Sequence, residues 1–264
     1  MSFARESWPF VAPFALLAAL AAASGRPGWA AAAALAGLGV LAFFRDPARR
    51  FDGEPGIVLA PAAGRVTRVD AIEDPELGPG RWQRVVTFLS VFDVHVQKAP
   101  AGGEVIASRH AAGRKVAAFR AEAGEVNEQH LTVIRRPCGD LVGVRQIAGL
   151  LARRVVCYLQ AGDRVERGAP LGLIKFGSRV DLLVPAGYRL LVKQGDRLRN
   201  GATPVAAAPA AAAGGAAASA GVAPAAAAGG AAASAGVAPA AGGERAGAAL
   251  AAGTEPGATP GGPP

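Results

Sequence analysis

Two apolar runs open this chain, Trp8 to Ala23 and Gly28 to Phe44, with only Ser24-Gly25-Arg26-Pro27 between them. A helix crossing a bilayer needs about 17–25 apolar residues, so both runs lie near the lower limit for a span. Pro9 and Pro13 fall early in the first run, where a helix best tolerates proline. Trp8, Trp29, Phe43 and Phe44 stand near the run ends, as interfacial anchors do. Arg5 precedes the pair, Arg45, Arg49 and Arg50 follow it, and Arg26 alone lies in the connection. That bias puts both ends on the cytoplasmic side. A cleaved signal peptide fits less well, because a second apolar run follows and no clear cleavage site separates it from a soluble start. Residues 1–50 are therefore predicted to form a membrane-anchoring helical hairpin, with a half-inserted hairpin as the second reading.

The grammar changes at Phe51. Short β-branched runs recur at Ile57–Leu59, Arg65–Val69, Val85–Leu89, Leu131–Ile134, Arg154–Tyr158 and Tyr188–Val192, punctuated by Gly, Pro and Asp. One helical stretch is expected near Lys115 to Ala123. Gly162-Asp-Arg-Val-Glu-Arg-Gly168 and Gly195-Asp-Arg-Leu-Arg-Asn-Gly201 repeat one turn pattern, alternating with Pro-Ala-Gly corners at Pro61–Gly64 and Pro185–Gly187. In style these turns resemble the sandwiched half-barrels of biotinyl and lipoyl carrier domains. Residues 51–203 are thus expected to be one mostly β domain of the α+β class. Beyond Thr203 only Ala, Gly, Pro and Ser dominate, with a period of roughly 15 residues that signals tandem duplication. A tail so poor in large apolar side chains cannot bury a core, so residues 204–264 are predicted to be disordered.

Charge narrows the partners only a little. The formal charge of +8 divides into +3 up to Arg50, −1 beyond Gly201 and +6 in the middle. A basic middle suits an anionic partner, a lipid surface or a nucleic acid, and does not choose between them. Arg49, Arg50, Arg135, Arg136, Arg153 and Arg154 are the candidate surface cations. Cys138 and Cys157 are too few for a disulfide framework and lack zinc-ligand spacing, so both are read as reduced, packed side chains.

The densest chemistry lies in Lys175-Phe-Gly-Ser-Arg-Val-Asp181, between an apolar run and another strand-like stretch. Glycine on the acyl side leaves the Gly177 carbonyl sterically open and tolerates a strained corner. The Ser178 hydroxyl, next along the chain, can attack backwards and exchange the amide for an ester. Elimination then leaves dehydroalanine, and loss of ammonia leaves a pyruvoyl group at a new N-terminus. A Gly-Ser pair alone is ordinarily a turn, so context decides. His95, in Ser90-Val-Phe-Asp-Val-His-Val-Gln-Lys98, supplies some of it. Alternation along a strand puts Asp93, His95 and Gln97 on one face and Phe92, Val94 and Val96 on the other. His110 and His130 fall in polar, exposed-looking stretches. No His/Asp/Glu spacing points to a metal and no glycine pattern to a phosphate loop. Asp163 and Asp196 read as turn residues.

Taken together the chain resembles the phosphatidylserine decarboxylase proenzymes of the short bacterial and archaeal type. The matching stretches are Phe43-Phe-Arg-Asp-Pro47, Phe88–Val96, Val126-Asn-Glu-Gln129, Gly162-Asp-Arg-Val165 and Leu171–Asp181. The resemblance implies self-cleavage between Gly177 and Ser178 into a larger β chain (1–177) and a smaller α chain (178–264) that stay associated. Ser178 becomes the covalent pyruvate group that forms a Schiff base with phosphatidylserine, and His95 matches the family histidine suited to donate a proton. It further implies phosphatidylethanolamine as product, a lipid rather than a nucleic-acid partner, no metal, and the cytoplasmic face of the cell membrane. A homo-oligomer is left open.

One departure stands out. Longer relatives carry Asp-Gly after Pro-Ala, an acid that helps a histidine activate the serine; here Pro61-Ala-Ala-Gly64 places Ala63 there, and Lys98 takes the place of a second histidine. Either His95 and backbone strain suffice, or another group such as Asp93 substitutes. Two other functions remain: a non-enzymatic membrane adaptor on a lipoyl-like sandwich, and a pyruvoyl decarboxylase of a soluble amino acid.

Overall fold

The computed structural model describes residues 2–113, 116, 123–149, 155–175 and 178–209. Helices run over Trp8–Ala23 and Pro27–Phe43, antiparallel and side by side. A short 3-10 turn at Arg5–Ser7 leads into the first, and the 19 residues Arg5–Ala23 are long and apolar enough to cross a membrane. The second helix has 17 residues. Pro27 sits in its first turn, where the missing N–H leaves no bond unmade. The flanks of the pair are apolar and open: Trp8, Leu16, Leu17, Leu20, Trp29, Leu35 and Leu38 are all exposed.

The remainder is mostly β structure. Among the described residues an eight-stranded antiparallel sheet dominates, in the order Arg164–Val165, Gly103–Ala111, Gln129–Arg135, Leu141–Ala148, Ser178–Pro185, Arg81–Leu89, Gly64–Glu73 and Arg197–Leu198. Bulges at Val66/Arg68 and Val105/Ala107 break the register. An extra residue on one strand bends it and raises the twist, which suits the sheet's curl into a half-barrel. A three-stranded sheet, Val155–Cys157, Pro170–Ile174 and Val96–Lys98, covers part of its inner face, and a second joins Arg189–Leu190, Pro204–Ala207 and Ile57–Leu59. The inner face carries the main core, with Val85, Leu89, Val142, Val144, Val180, Leu182 and Val184 all buried.

Several expectations need adjustment. Pro204–Ala207, assigned to the tail by composition, is a strand paired with Ile57–Leu59, because its small apolar residues seal the end of the core. Residues 210–264, and with them most of the predicted disordered tail, lie outside the described residues. So does most of the helix expected near Lys115 to Ala123; the helix described there is the single turn Ala123–Val126. Tyr188–Val192 is strand only at Arg189–Leu190. The two Gly-Asp segments do fold alike. Gly162 and Gly195 take positive φ (95° and 97°), and Asp163 and Asp196 each accept a backbone N–H from three residues back.

Candidate functional site

The apolar run before the Gly-Ser pair and the stretch after it belong to different sheets. Pro170–Ile174 ends in the small sheet, and Ser178–Pro185 begins in the centre of the large one. Lys175 is the last described residue on one side and Ser178 the first on the other; Phe176 and Gly177 lie outside the described residues. Ser178 is thus the first residue of a strand hydrogen-bonded on both sides, opposite Ala148 on one neighbour and Leu89 on the other. Its side chain points to the inner face with Val180 and Leu182, is wholly buried, and its Oγ has no hydrogen-bond partner. An unpaired buried hydroxyl costs about 1–3 kcal/mol.

The backbone around it is tied down. Asn127 of the Val126–Gln129 stretch donates from Nδ2 to the Ala148 carbonyl at 2.7 Å, and the Ala148 N–H donates to Glu128 at 2.9 Å. The residue opposite Ser178 is therefore clamped from its far side. On the near side Leu89 ends its strand and the chain turns at Ser90–Asp93 toward His95. This connection carries His95 to the same end of the sheet as Ser178.

His95 is also buried, and its geometry fixes its tautomer. Nδ1 lies 2.9 Å from the backbone oxygen of Asp93. A carbonyl can only accept, so Nδ1 carries the hydrogen and Nε2 presents a lone pair. That Nε2 is buried without a partner. Burial pushes the imidazole down to about 4, against smaller raising effects from Asp93. The ring packs on Phe43 with centroids 3.9 Å apart, and Phe43 shares a buried cluster with Phe44 and Leu173, the latter just ahead of the crossing to Ser178. Phe43-Phe-Arg-Asp-Pro47 thus acts as a strap over the histidine. Arg45 donates to the Phe92 carbonyl at 2.6 Å, and Asp46 pairs with Lys98 at 2.8 Å.

The expected polar face is only partly realised. The strand starts at Val96, so Asp93 is not on it. Asp93 instead closes the preceding turn, accepting from the Ser90 N–H and hydroxyl at 2.9 and 2.7 Å. Burial raises the Asp93 carboxyl, but Ser90 and Arg197 more than reverse this and hold it below the usual carboxylate range. Its carboxylate is committed to the turn, and only its backbone oxygen meets His95. Val94 and Val96 do pack together, on Ala63, but Phe92, expected beside them, is exposed because it lies in the turn before the strand. The site of the missing acid is therefore an apolar contact. Gly64 beside it has φ 152°, and a side chain there would collide with the Phe88 carbonyl.

Gln97 turns inward as expected, and leads to a residue that sequence reading missed. Its Nε2 donates to the His95 carbonyl at 2.8 Å, leaving Oε1 to accept from Gln146 Nε2 at 2.9 Å. This order forces the Gln146 amide orientation and leaves its Oε1 buried and unpartnered. Gln146 stands opposite Val180, on the same face as Ser178. Gly172 gives its amide room between the sheets, since a Cβ there would lie 3.0 Å from Gln146 Nε2. The readable signal was an amide on the apolar side of the alternation Val142, Val144, Gln146, Ala148.

Other candidates lie elsewhere. His130 is in a strand, half-buried and bonded to Ser108 at 2.8 Å; His110, opposite it, is exposed. His110 is thus exposed as the sequence suggested, and His130 is half-buried instead. Arg136 is buried rather than a surface cation, bonded to Tyr188 and to the Pro55 carbonyl, because the chain folds over it. Arg153 and Arg154 lie outside the described residues. Cys138 and Cys157 are unpaired thiols. Among the described residues, no three His, Cys, Asp or Glu side chains gather to hold a metal. A cavity of about 380 Å³, lined by Phe3, Arg5, Glu6, Asp46, Val96 and Tyr158 among others, lies beside the strap. Neither Ser178 nor His95 lines it.

Residues 38–206 match the family described as phosphatidylserine decarboxylase. The chain is similar to the phosphatidylserine decarboxylase proenzyme of Symbiobacterium thermophilum, 44% identical over 208 residues that cover 78% of this chain and 95% of that protein. It is 45% identical over 200 residues to the proenzyme of Saccharopolyspora erythraea, covering 74% and 85% of the two chains. A third relative, from Cupriavidus pinatubonensis, is 40% identical over 204 residues, covering 77% and 94%.

Proposed function

This chain belongs to the phosphatidylserine decarboxylase family, and from that premise we propose that it cleaves itself between Gly177 and Ser178 and decarboxylates phosphatidylserine to phosphatidylethanolamine. The observation that carries this reading is the wholly buried Ser178 hydroxyl, left without a partner at the first residue of a doubly paired strand. Buried polar groups are almost always satisfied, so an orphan in this place suits a reacting atom. In self-cleavage the Ser178 Oγ–H proton passes to a base as oxygen bonds to the Gly177 carbonyl carbon. The C–N bond breaks and the nitrogen takes a proton, giving an ester. Loss of the Ser178 α-proton and departure of the Gly177 carboxylate yield dehydroalanine. Water then replaces its nitrogen, which leaves as ammonia. His95 Nε2 is our choice of base, since it is unprotonated at neutral pH and Nδ1–H is held by Asp93.

The pyruvate group that results supplies an electron sink for the departure of carbon dioxide. The residues present fit it, because its precursor is already seated among apolar neighbours with water excluded. His95 is poised to accept a proton from the substrate ammonium at Nε2 and to return it to the reacting carbon, so one low-pKa imidazole serves as base and then as acid. Gln146 Oε1 offers the ammonium a buried acceptor. Apolar walls from Leu89, Val180 and Phe43 keep bulk water from the developing charge.

The division of labour follows composition. Residues 1–50 hold the chain in the bilayer from the cytoplasmic side, and the half-barrel from residue 51, which we read as lipoyl-like, does the chemistry. Straps from the hairpin support this arrangement: Phe43 lies on His95, and the Lys175 ammonium stands 5.1 Å from the Phe10 ring. The test is carbon dioxide release from phosphatidylserine vesicles and, separately, from free serine. Release from vesicles alone is expected. Release from serine alone would assign a soluble amino acid as substrate, and release from neither would leave an adaptor.

A further inference from the structure

The turn Ser90-Val91-Phe92-Asp93 places two apolar side chains where turns ordinarily carry Gly, Asn, Asp or Pro. Phe92 is 83% exposed and Val91 46%. The turn is stiff. The Asp93 N–H donates to the Ser90 carbonyl at 3.0 Å, and the Asp93 carboxylate accepts from both Ser90 donors. A preformed apolar tip loses little entropy on binding, which suits a docking element better than a chance exposure.

Its position suggests what it meets. One Arg45 guanidinium donates both to the Ala42 carbonyl, in the last turn of helix Pro27–Phe43, and to the Phe92 carbonyl, at 2.7 and 2.6 Å. The tip therefore stands at the level where the apolar hairpin ends. Cations surround it. Arg197 approaches Asp93 at 3.3 Å with its side chain 71% exposed. Arg49 bonds Asn200, and burial first, then Arg199 and Arg45, hold its pKa down, so these three cations are close neighbours. Apolar tips flanked by arginine are the composition of an interfacial membrane contact.

We propose that the Ser90–Asp93 turn is a second membrane contact, with Val91 and Phe92 entering the headgroup–acyl boundary of an anionic bilayer while Arg45, Arg49, Arg197 and Arg199 meet lipid phosphates and carboxylates. This rests on the reading that the hairpin lies in the membrane. His95 follows the turn by two residues, so the contact seats the histidine segment on the surface that holds the substrate. The hairpin alone confines the chain to the bilayer; the turn sets its tilt.

The test compares two forms of one substrate, using the full processed chain and the variants Phe92→Ser and Phe92→Leu. On mixed phosphatidylserine–phosphatidylcholine vesicles, Phe92→Ser should raise the half-saturating lipid concentration about tenfold, and Phe92→Leu should stay near wild type. On short-chain phosphatidylserine kept below its micelle concentration, both variants should work as wild type does. Equal losses on the two substrates, or no loss on vesicles, overturn the proposal. So does a dimer in detergent that Phe92→Ser splits, since the tip would then bind a second copy. Wild-type protein that washes from membranes would instead refute the hairpin reading, a result read independently of Phe92.

Discussion

The two faces of the strand Ser178–Pro185 are both buried and both polar at their first residues, yet they are built on opposite principles. On the outer face Arg179 meets Asp181 through two hydrogen bonds of 2.7 and 2.6 Å, with both side chains almost wholly buried. Arg84 extends the network, 3.9 Å from Asp181 and doubly bonded to Asp70, whose carboxyl it holds below the usual range. Full charges there are fully paired. On the inner face Ser178, His95 and Gln146 are neutral, and each has one buried atom without a partner. Among the described residues the outer face leaves one buried polar atom without a partner, Trp82 Nε1, against three on the inner face. In the proposed mechanism, substrate and reacting atoms supply the missing partners of the inner orphans.

Loss of the His95 imidazole carries the largest expected effect. His95→Gln keeps a polar side chain of similar reach but removes the titrating nitrogen. Turnover of any chain that has processed should fall by about 10²–10⁴, the usual worth of general acid–base catalysis. Accumulation of uncleaved precursor, read on a gel, should accompany it. Unchanged processing and turnover would strip the inner face of its chemical role.

Next in size is the outer face. Arg179→Ala leaves Asp181 buried with its main partner gone and should destabilise by about 3–5 kcal/mol. Thermal unfolding measures this. The double change Arg179→Met with Asp181→Leu should recover most of the loss and still give two fragments, because the pair is structural. A double variant that folds but never cleaves would move the outer face into the mechanism.

The smallest effect is one of pH. His95 has a folded pKa near 4 against an ordinary value of 6.5, so between these values the unfolded chain binds more protons. Stability contributed by the neutral ring is present above pH 6.5 and is lost as pH falls toward 4. His95→Gln should flatten this part of the stability curve and leave the neutral range alone. An identical slope in both proteins would show that the ring is not held neutral by burial.

The sequence made the fold's punctuation legible and its pairings much less so. The Gly-Asp turns and the short runs at Ile57–Leu59 and Val85–Leu89 could be read because their signals are local. Gly103–Ala111 and Leu141–Ala148 went unread, the first because a bulge interrupts its alternation, the second because Gly143 does. At the site, Ser178 and His95 stood out by residue type and by family resemblance. Gln146 and the Phe43 strap did not, since each acts through a partner roughly 50 residues away. Asp93 misled for a related reason: alternation predicts faces only within a strand, and the strand starts three residues later.

The most direct test of the account is the intact mass of the purified chain. Two fragments split between Gly177 and Ser178 are expected, the smaller lighter than its serine-ended form by the mass of one ammonia and closed to Edman degradation. Ser178→Ala should stay whole and inactive. A single uncleaved wild-type chain that still releases carbon dioxide from phosphatidylserine would contradict it.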